Sequence, residues 1–381
     1  MKTLFAVGLL LLFAQVHAAC DLTAWQALRE KECVRAWMDE NLRINDLLSI
    51  GTHNSYKSAI PEAEMAQLKT RSAKAAIVLD YSHRPLDKEL DDGARQLELD
   101  VYYDPKGGRF SDPAGPRALG QHMDAEMAAE FAKPGFKVMH IPDFDFRSTC
   151  VRFIWCLNTI KAWSTAHPDH IPILILINAK DDNPLGSGGA EVLKFDGAAF
   201  DALDAEIAVV FSDKQLITPD QVQGKYKTLR EAVRAGGWPK LGEARGRVFF
   251  ALDEAPAKVA IYRGERRSLE GRRMFVNTDE DSPAAAYLTL NEPMQDASRI
   301  REAVEEGFIV RTRADADTIE ARDGKTERRE TALRSGAQYV STDYMQPDPR
   351  FGKYAVKLPD GVTTVCNPVR AKRRCGGNAV N

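Results

Sequence analysis

The chain has 381 residues, enough for one large domain or two ordinary ones. With 44% hydrophobic and 28% charged residues it reads as a globular protein with a real core. A formal net charge of −3 carries no basic excess, so nothing in the bulk charge points to a nucleic-acid partner. That weak negative balance does not speak against membrane contact, which depends on local patches.

In chain order, the first feature is "MKTLFAVGLLLLFAQVHAAC". Lys2 is a short basic n-region, and residues 4–14 form an apolar run too short to span a bilayer. Residues 1–18 therefore read as a signal peptide cleaved after Ala18, against the blander alternative of a buried N-terminal helix. His17 stands where a lipoprotein signal would have an apolar residue, which argues against lipid anchoring. No later stretch reads as a transmembrane helix, so the expected location is secreted or periplasmic. Export changes how the six cysteines read. They fall in three sequence-local pairs, and an oxidising compartment favours disulfides. The expected pairs are Cys20–Cys33, Cys150–Cys156 and Cys366–Cys375. No pair has the spacing of a zinc site.

Strand candidates follow at 46–51, 95–103, 136–141, 172–178, 246–253, 272–278, 308–313 and 338–342. Most are nearly continuous apolar runs, the pattern of parallel strands buried on both faces. Helical patterns occupy 149–167, 196–211, 297–307 and 326–336, the last two ending at Gly307 and Gly336. Eight strands with helices between them predict an α/β fold, a (β/α)8 TIM barrel with some distortion. The Gly- and Pro-rich connections 104–135 and 181–245 read as elaborated βα loops. The expected organisation is a barrel over 19–343 and an irregular, disulfide-stapled tail over 344–381.

In a barrel, chemistry collects at the C-terminal ends of the strands. The stretch "SIGTHNSYK" ends strand one in His53 and Asn54. Glu98 and Asp100, two apart on strand two, point to the same side. Strand three ends in His140, with Asp143 and Asp145 just beyond. Strand four ends with Asn178 and Lys180, strand seven carries Arg311 and Arg313, and strand eight ends at Asp343. Taken singly, each has a plainer explanation: a hydrogen-bonded structural His, a solvated Glu-x-Asp face, a salt-bridged Arg pair. Together, these strands send ionisable or amide groups to one predicted end. Two like charges facing inward need a cation. Oxygen donors from Asn54, Glu98, Asp100 and Asn178 suit a hard divalent ion, Ca²⁺ or Mg²⁺. His53 and His140 suit acid–base work near neutral pH. Lys180, Arg311 and Arg313 suit an anionic substrate. A cation, two imidazoles and a basic rim imply phosphodiester cleavage.

"THNSY", "LELDVYYD", "VMHIPDFDF" and "PILILINAKDD" resemble the catalytic strands of the phosphoinositide-specific phospholipase C family, in its bacterial, secreted, calcium-dependent branch. "FIVRTRADADT" and "AQYVSTDYM" are similar to the closing strands of that branch. The likeness spans most of the mature chain and is best defined over 47–182. It implies a (β/α)8 barrel using Ca²⁺, with Mg²⁺ ranking behind it. It also implies that His53 and His140 flank the phosphate, with Asn54, Glu98 and Asp100 on the metal. The implied reaction is attack by the inositol 2-hydroxyl on its own phosphorus, with Ca²⁺ assisting. Glu98 is a candidate base as well as a ligand. The products would be diacylglycerol and a cyclic inositol phosphate, and the partner a phospholipid at a membrane surface. The family places a carboxylate where this chain has Asn178, so one negative charge is lost; Asp181 or Asp182 is the candidate to compensate. Two other readings stay open: a glycerophosphodiesterase or sphingomyelinase-D-like barrel, and a non-catalytic secreted lipid- or sugar-binding barrel.

Overall fold

The computed structural model describes residues 31–184, 189–375 and 377–380. The expected leader and Cys20, and with Cys20 the first expected disulfide, lie outside the described residues. The strands are β1 (Leu47–Thr52), β2 (Gln96–Tyr102), β3 (Lys137–Val138), β4 (Ile173–Lys180) and β5 (Val248–Leu252). Then come β6 (Met274–Val276), β7 (Tyr287–Thr289), β8 (Ile309–Arg313), β9 (Tyr339–Thr342) and β10 (Thr364–Cys366). Eight of them run parallel in the order β6-β5-β4-β2-β1-β9-β8-β7. β6 and β7 meet through the isolated bridge Asn277 to Tyr287, so the barrel is nearly closed.

Two expectations need correction. The predicted third strand is not a barrel stave. β3 is two residues long and pairs antiparallel with Val101 and Tyr102 of β2. Phe136 and Val138 of this run join the main core, while Met139 packs a side cluster with Tyr102, Phe110, Phe131 and Phe146. A short apolar run cannot by itself distinguish the two roles. The missing stave is β7, Tyr287–Thr289, three residues after an alanine run and too short to show a pattern. The four predicted helices form, as Phe153–Ala166, Gly197–Val210, Pro293–Glu306 and Glu327–Ser335. Gly307 ends the third in the left-handed conformation at φ 107°.

Register decides what the barrel contains. Parallel partners on neighbouring strands share a face. Gly51 pairs with Gln96, Gln96 with Leu174, and Leu174 with Phe249. That row faces inward, and so do residues two and four further along. The lower interior is filled by rings: Phe249 lies 6.1 Å from both Phe275 and Tyr339. The upper interior receives Glu98, Asp100, Asn178, Lys180, Arg311 and Arg313. Outward residues Leu97, Leu99 and Val101 join the main core beneath the helices. Gly51 has a steric reason to be glycine, since a Cβ there would sit 2.4 Å from the Gln96 side chain.

The residues after Asp343 fold back onto the barrel. β10 runs antiparallel to the start of β1, pairing Leu47 with Cys366. Disulfides join Cys150 to Cys156 and Cys366 to Cys375 as expected.

Candidate active site

β1 breaks off at His53, and Asn54 follows in the left-handed region at φ 49°. A non-glycine residue there is unusual, and such conformations gather at functional turns. The turn is held by Ser55: its N–H donates to Glu98 O at 3.0 Å, and its hydroxyl accepts from Glu98 N at 2.8 Å. Thus the first strand's end is clamped onto the strand that carries the carboxylates.

His53 Nδ1 lies 2.8 Å from Asp343 Oδ1, and its Nε2 lies 3.7 Å from Glu98 Oε1. Burial, reinforced by Arg313, pushes the imidazole below its ordinary range, so it is neutral at neutral pH. Asp343 is ionised: burial would raise it, but His53 and Arg313 outweigh that and hold it at about 2. An ionised carboxylate only accepts, so Nδ1–H donates and Nε2 is left with its lone pair. Arg313 reaches Asp343 Oδ2 at 3.3 Å and donates to Asp315 O.

His140 belongs to the loop after β3, where the sequence reading had a strand end. Its ring is still fixed, because Nδ1 lies 2.8 Å from Asp145 Oδ2. The other carboxylate oxygen of Asp145 pairs with Lys57 Nζ at 3.0 Å, both side chains being fully buried. Lys57 also donates to Tyr81 O at 2.9 Å. The Tyr81 hydroxyl accepts from Asn54 Nδ2 at 2.8 Å, and its ring stacks beside His53 with centroids 6.1 Å apart. A continuous polar chain therefore links the two imidazoles: His53, Tyr81, Lys57, Asp145, His140.

The carboxylates Glu98 and Asp100 stand on β2, beside His53. Glu98 Oε2 meets Arg311 at 2.6 Å, and Glu98 Oε1 accepts from Asn178 Nδ2 at 3.0 Å. Burial would raise Glu98, but Arg311, then His53 and Arg313, outweigh it and hold the carboxyl low. Asp100 Oδ2 lies 3.3 Å from Lys180 Nζ. Asp100 is 1% exposed, yet neither of its carboxylate oxygens has a hydrogen-bond partner, so that contact is an ion pair only. The expected cation requirement is thus met within the chain by Arg311 and Lys180. Arg311, expected on an anion-binding rim, is instead buried, with its second contact to Asn291 Oδ1 at 2.6 Å. Asp181, the candidate to compensate for Asn178, pairs with Lys258 at 3.0 Å.

The donor set fits a hard cation. The oxygens of Asp100, ion-paired with Lys180 but not hydrogen-bonded, share a face of β2 with Glu98, and Asn178 turned about its amide presents Oδ1 instead of Nδ2. Asn54 Oδ1 has only a 3.4 Å contact from Tyr56. Among the described residues no three His, Cys, Asp or Glu side chains converge as a metal centre. The set in question here is two carboxylates, Glu98 and Asp100, and two amides, Asn54 and Asn178. A hollow of about 430 Å³ abuts the His53 side, lined by Tyr81, Asp343, Asp80 and Arg350 among others. A second, of about 500 Å³, is lined by Arg95, His170 and Arg245 near the starts of β2, β4 and β5, away from this chemistry.

Sequence reasoning missed Lys57 and Tyr81, and it gave Asp343 and Asp145 no partners. Lys57 lies in the quoted "SYK" and Asp145 in "DFDF", so the residues were visible but not their pairing. Asp315 was also missed. It accepts from Asp343 N at 2.8 Å, from Tyr354 at 3.2 Å and from the Thr342 hydroxyl. Burial, then the Asp343 charge, pushes its carboxyl up to about 7. The folded state therefore keeps a proton that the unfolded chain loses at about 3.9. Stability falls as pH rises from about 4 to 7 through this group. Asp343 acts oppositely: its contribution is present above about pH 4 and is lost as pH falls through about 2. Asp315→Asn is expected to remove the decline between pH 4 and 7, worth roughly 2–4 kcal/mol. Denaturant melts at pH 4.5 and 7.5 check it; an unchanged pH dependence contradicts the assignment.

A protein-family profile described as "Phosphoinositide phospholipase C, Ca2+-dependent" matches residues 42–368. Among solved structures, one similar fold is a calcium-dependent phosphoinositol-specific phospholipase C from a Gram-negative Pseudomonas, apo form, myoinositol complex. It is 18% identical, with a TM-score of 0.52, over 85% of this chain and 95% of that one. Another is a Ca²⁺-dependent phosphatidylinositol-specific phospholipase C from Streptomyces antibioticus. That chain is 20% identical, with a TM-score of 0.50, over 79% of this chain and 94% of its own. At such identities the likeness is one of fold. Comparison with curated proteins found no match.

Proposed function

This chain belongs to the calcium-dependent phosphoinositide phospholipase C family, and from that premise we propose that it cleaves phosphatidylinositol to diacylglycerol and a cyclic inositol phosphate. The observation that carries the reading is the pair of carboxylate-held imidazoles, His53 on Asp343 and His140 on Asp145, with Glu98 and Asp100 on the strand between. Each uses Nδ1 on its carboxylate, which leaves Nε2 for the substrate.

In this reading His53, neutral through burial, takes the proton of the inositol 2-hydroxyl at Nε2. The hydroxyl oxygen bonds to phosphorus as the phosphorus–glycerol oxygen bond breaks. His140 gives a proton to the departing glycerol oxygen, so no net proton is gained or lost. Attack within one molecule makes orientation the main advantage. Asn54, Glu98, Asp100 and Asn178 would hold Ca²⁺. When bound, that ion supplies electrostatic stabilisation of the charge on the phosphoryl oxygens. Arg311 serves Glu98, and Lys180, paired with Asp100 and 31% exposed, is the cation this reading gives to the phosphate.

We also read the protein as exported, to the periplasm or beyond, and as a peripheral visitor to its lipid. The apolar N-terminal sequence and the two disulfides support export. No helix among the described residues is long and apolar enough to cross a membrane. Phosphorus NMR of products from phosphatidylinositol tests the function. A cyclic inositol phosphate signal that needs Ca²⁺ is expected. Release of glycerol phosphate or choline from a headgroup panel, with inositol lipid untouched, contradicts it.

A further inference from the structure

Four cations touch the acidic groups of this site; Lys57 is fully buried against Asp145, and the other three differ in how firmly they are held. Arg311 is 2% exposed at its side chain and bonded to both Glu98 and Asn291. Arg313 is 14% exposed and bonded to Asp315 and Asp343. Lys180 is 31% exposed, and its contact at 3.3 Å with Asp100 lacks hydrogen-bond geometry. Only Lys180 can swing away without breaking a buried hydrogen bond.

Charge gives that freedom a consequence. Glu98 and Asp100 carry two negative charges, and Arg311 and Lys180 carry two positive ones. The loss of a carboxylate at Asn178 makes this balance neutral. Nearby Glu254 is already paired with Lys258 at 3.2 Å. A divalent ion entering this set would leave it with two excess positive charges. Moving the Lys180 ammonium off Asp100 and onto an incoming phosphodiester relieves that excess.

We propose that Lys180 is an exchangeable counter-ion of Asp100, displaced by Ca²⁺ and received by the substrate phosphodiester. This rests on the metal-assisted reading above and adds a regulation to it: Ca²⁺ and phosphodiester bind cooperatively. Ca²⁺ alone binds weakly, because it competes with an ammonium already at its ligand. The coupling is reciprocal, so Ca²⁺ raises phosphodiester affinity by the same factor.

Calorimetric titration of the full-length protein with Ca²⁺ tests it, using wild type, K180M and K180R. Each is titrated alone and with a short-chain 2-deoxyinositol phospholipid, which lacks the attacking hydroxyl. K180M should bind Ca²⁺ about tenfold tighter than wild type, the usual size of a like charge near a ligand carboxylate. K180R should stay close to wild type. The lipid should tighten Ca²⁺ binding at least about fivefold in wild type and K180R, and by a clearly smaller factor in K180M, where only the attraction between ion and phosphodiester remains; equal tightening in all three overturns the exchange. Circular dichroism confirms folding, and K180Q replaces K180M should that variant not fold. Equal or weaker Ca²⁺ binding in the folded neutral variant overturns the counter-ion role while leaving the metal reading intact. No Ca²⁺ binding in any variant, with full turnover in chelator, overturns both.

Discussion

His53→Ala and His140→Ala are each expected to lower kcat by roughly 10²–10⁴-fold, the range for a lost general acid or base. The fold should survive both. Without His53, Asp343 keeps Arg313 at 3.3 Å and the Asp315 carboxyl against its backbone N–H. Without His140, Asp145 keeps Lys57 at 3.0 Å. Neither substitution leaves a buried carboxylate without a cation, the event that usually destabilises by several kcal/mol. Hydrolysis of a fluorogenic inositol phosphodiester, with a thermal melt beside it, measures both effects. Near-normal turnover in both variants would remove the imidazoles from the mechanism.

Chelation of Ca²⁺ is expected to lower turnover by at least about 100-fold, with recovery on adding the ion back. The reasoning starts from Asp100, nearly sealed from solvent with both oxygens lacking hydrogen-bond partners. Its counter-ion is Lys180, 31% exposed and without hydrogen-bond geometry to it, so a divalent ion can complete the carboxylate better than the ammonium does. Asp100→Asn removes one of two ligand charges, so it should demand much more Ca²⁺ for half-maximal rate. Ca²⁺ binding to the folded chain alone should also raise the melting temperature. Asp100→Asn should shrink that rise. Full activity after exhaustive chelation, or an unchanged Ca²⁺ requirement in Asp100→Asn, contradicts the metal's place.

Much of this was legible in the sequence because barrel strands obey a two-residue period. Glu98 with Asp100, Asn178 with Lys180, and Arg311 with Arg313 each share a face for that reason, and parallel register brings the three pairs together. What failed were features without a period. β7 is three residues long, and the apolar run ending in His140 pairs antiparallel with β2 and packs partly into the main core and partly into a side cluster, without being a barrel stave. His140 reaches the site through the Asp145–Lys57–Tyr81 chain, a set of long-range pairings that no local pattern announces. Arg311 shows the same limit. Its face was readable, but its burial against Glu98 depends on the packed interior.

The most direct test is a crystal grown or soaked with Ca²⁺ and measured for anomalous scattering. One strong peak is predicted among Asn54, Glu98, Asp100 and Asn178, with the Nε2 atoms of His53 and His140 opening onto the same hollow. A peak elsewhere, or imidazoles facing separate surfaces with no shared space, would contradict the account.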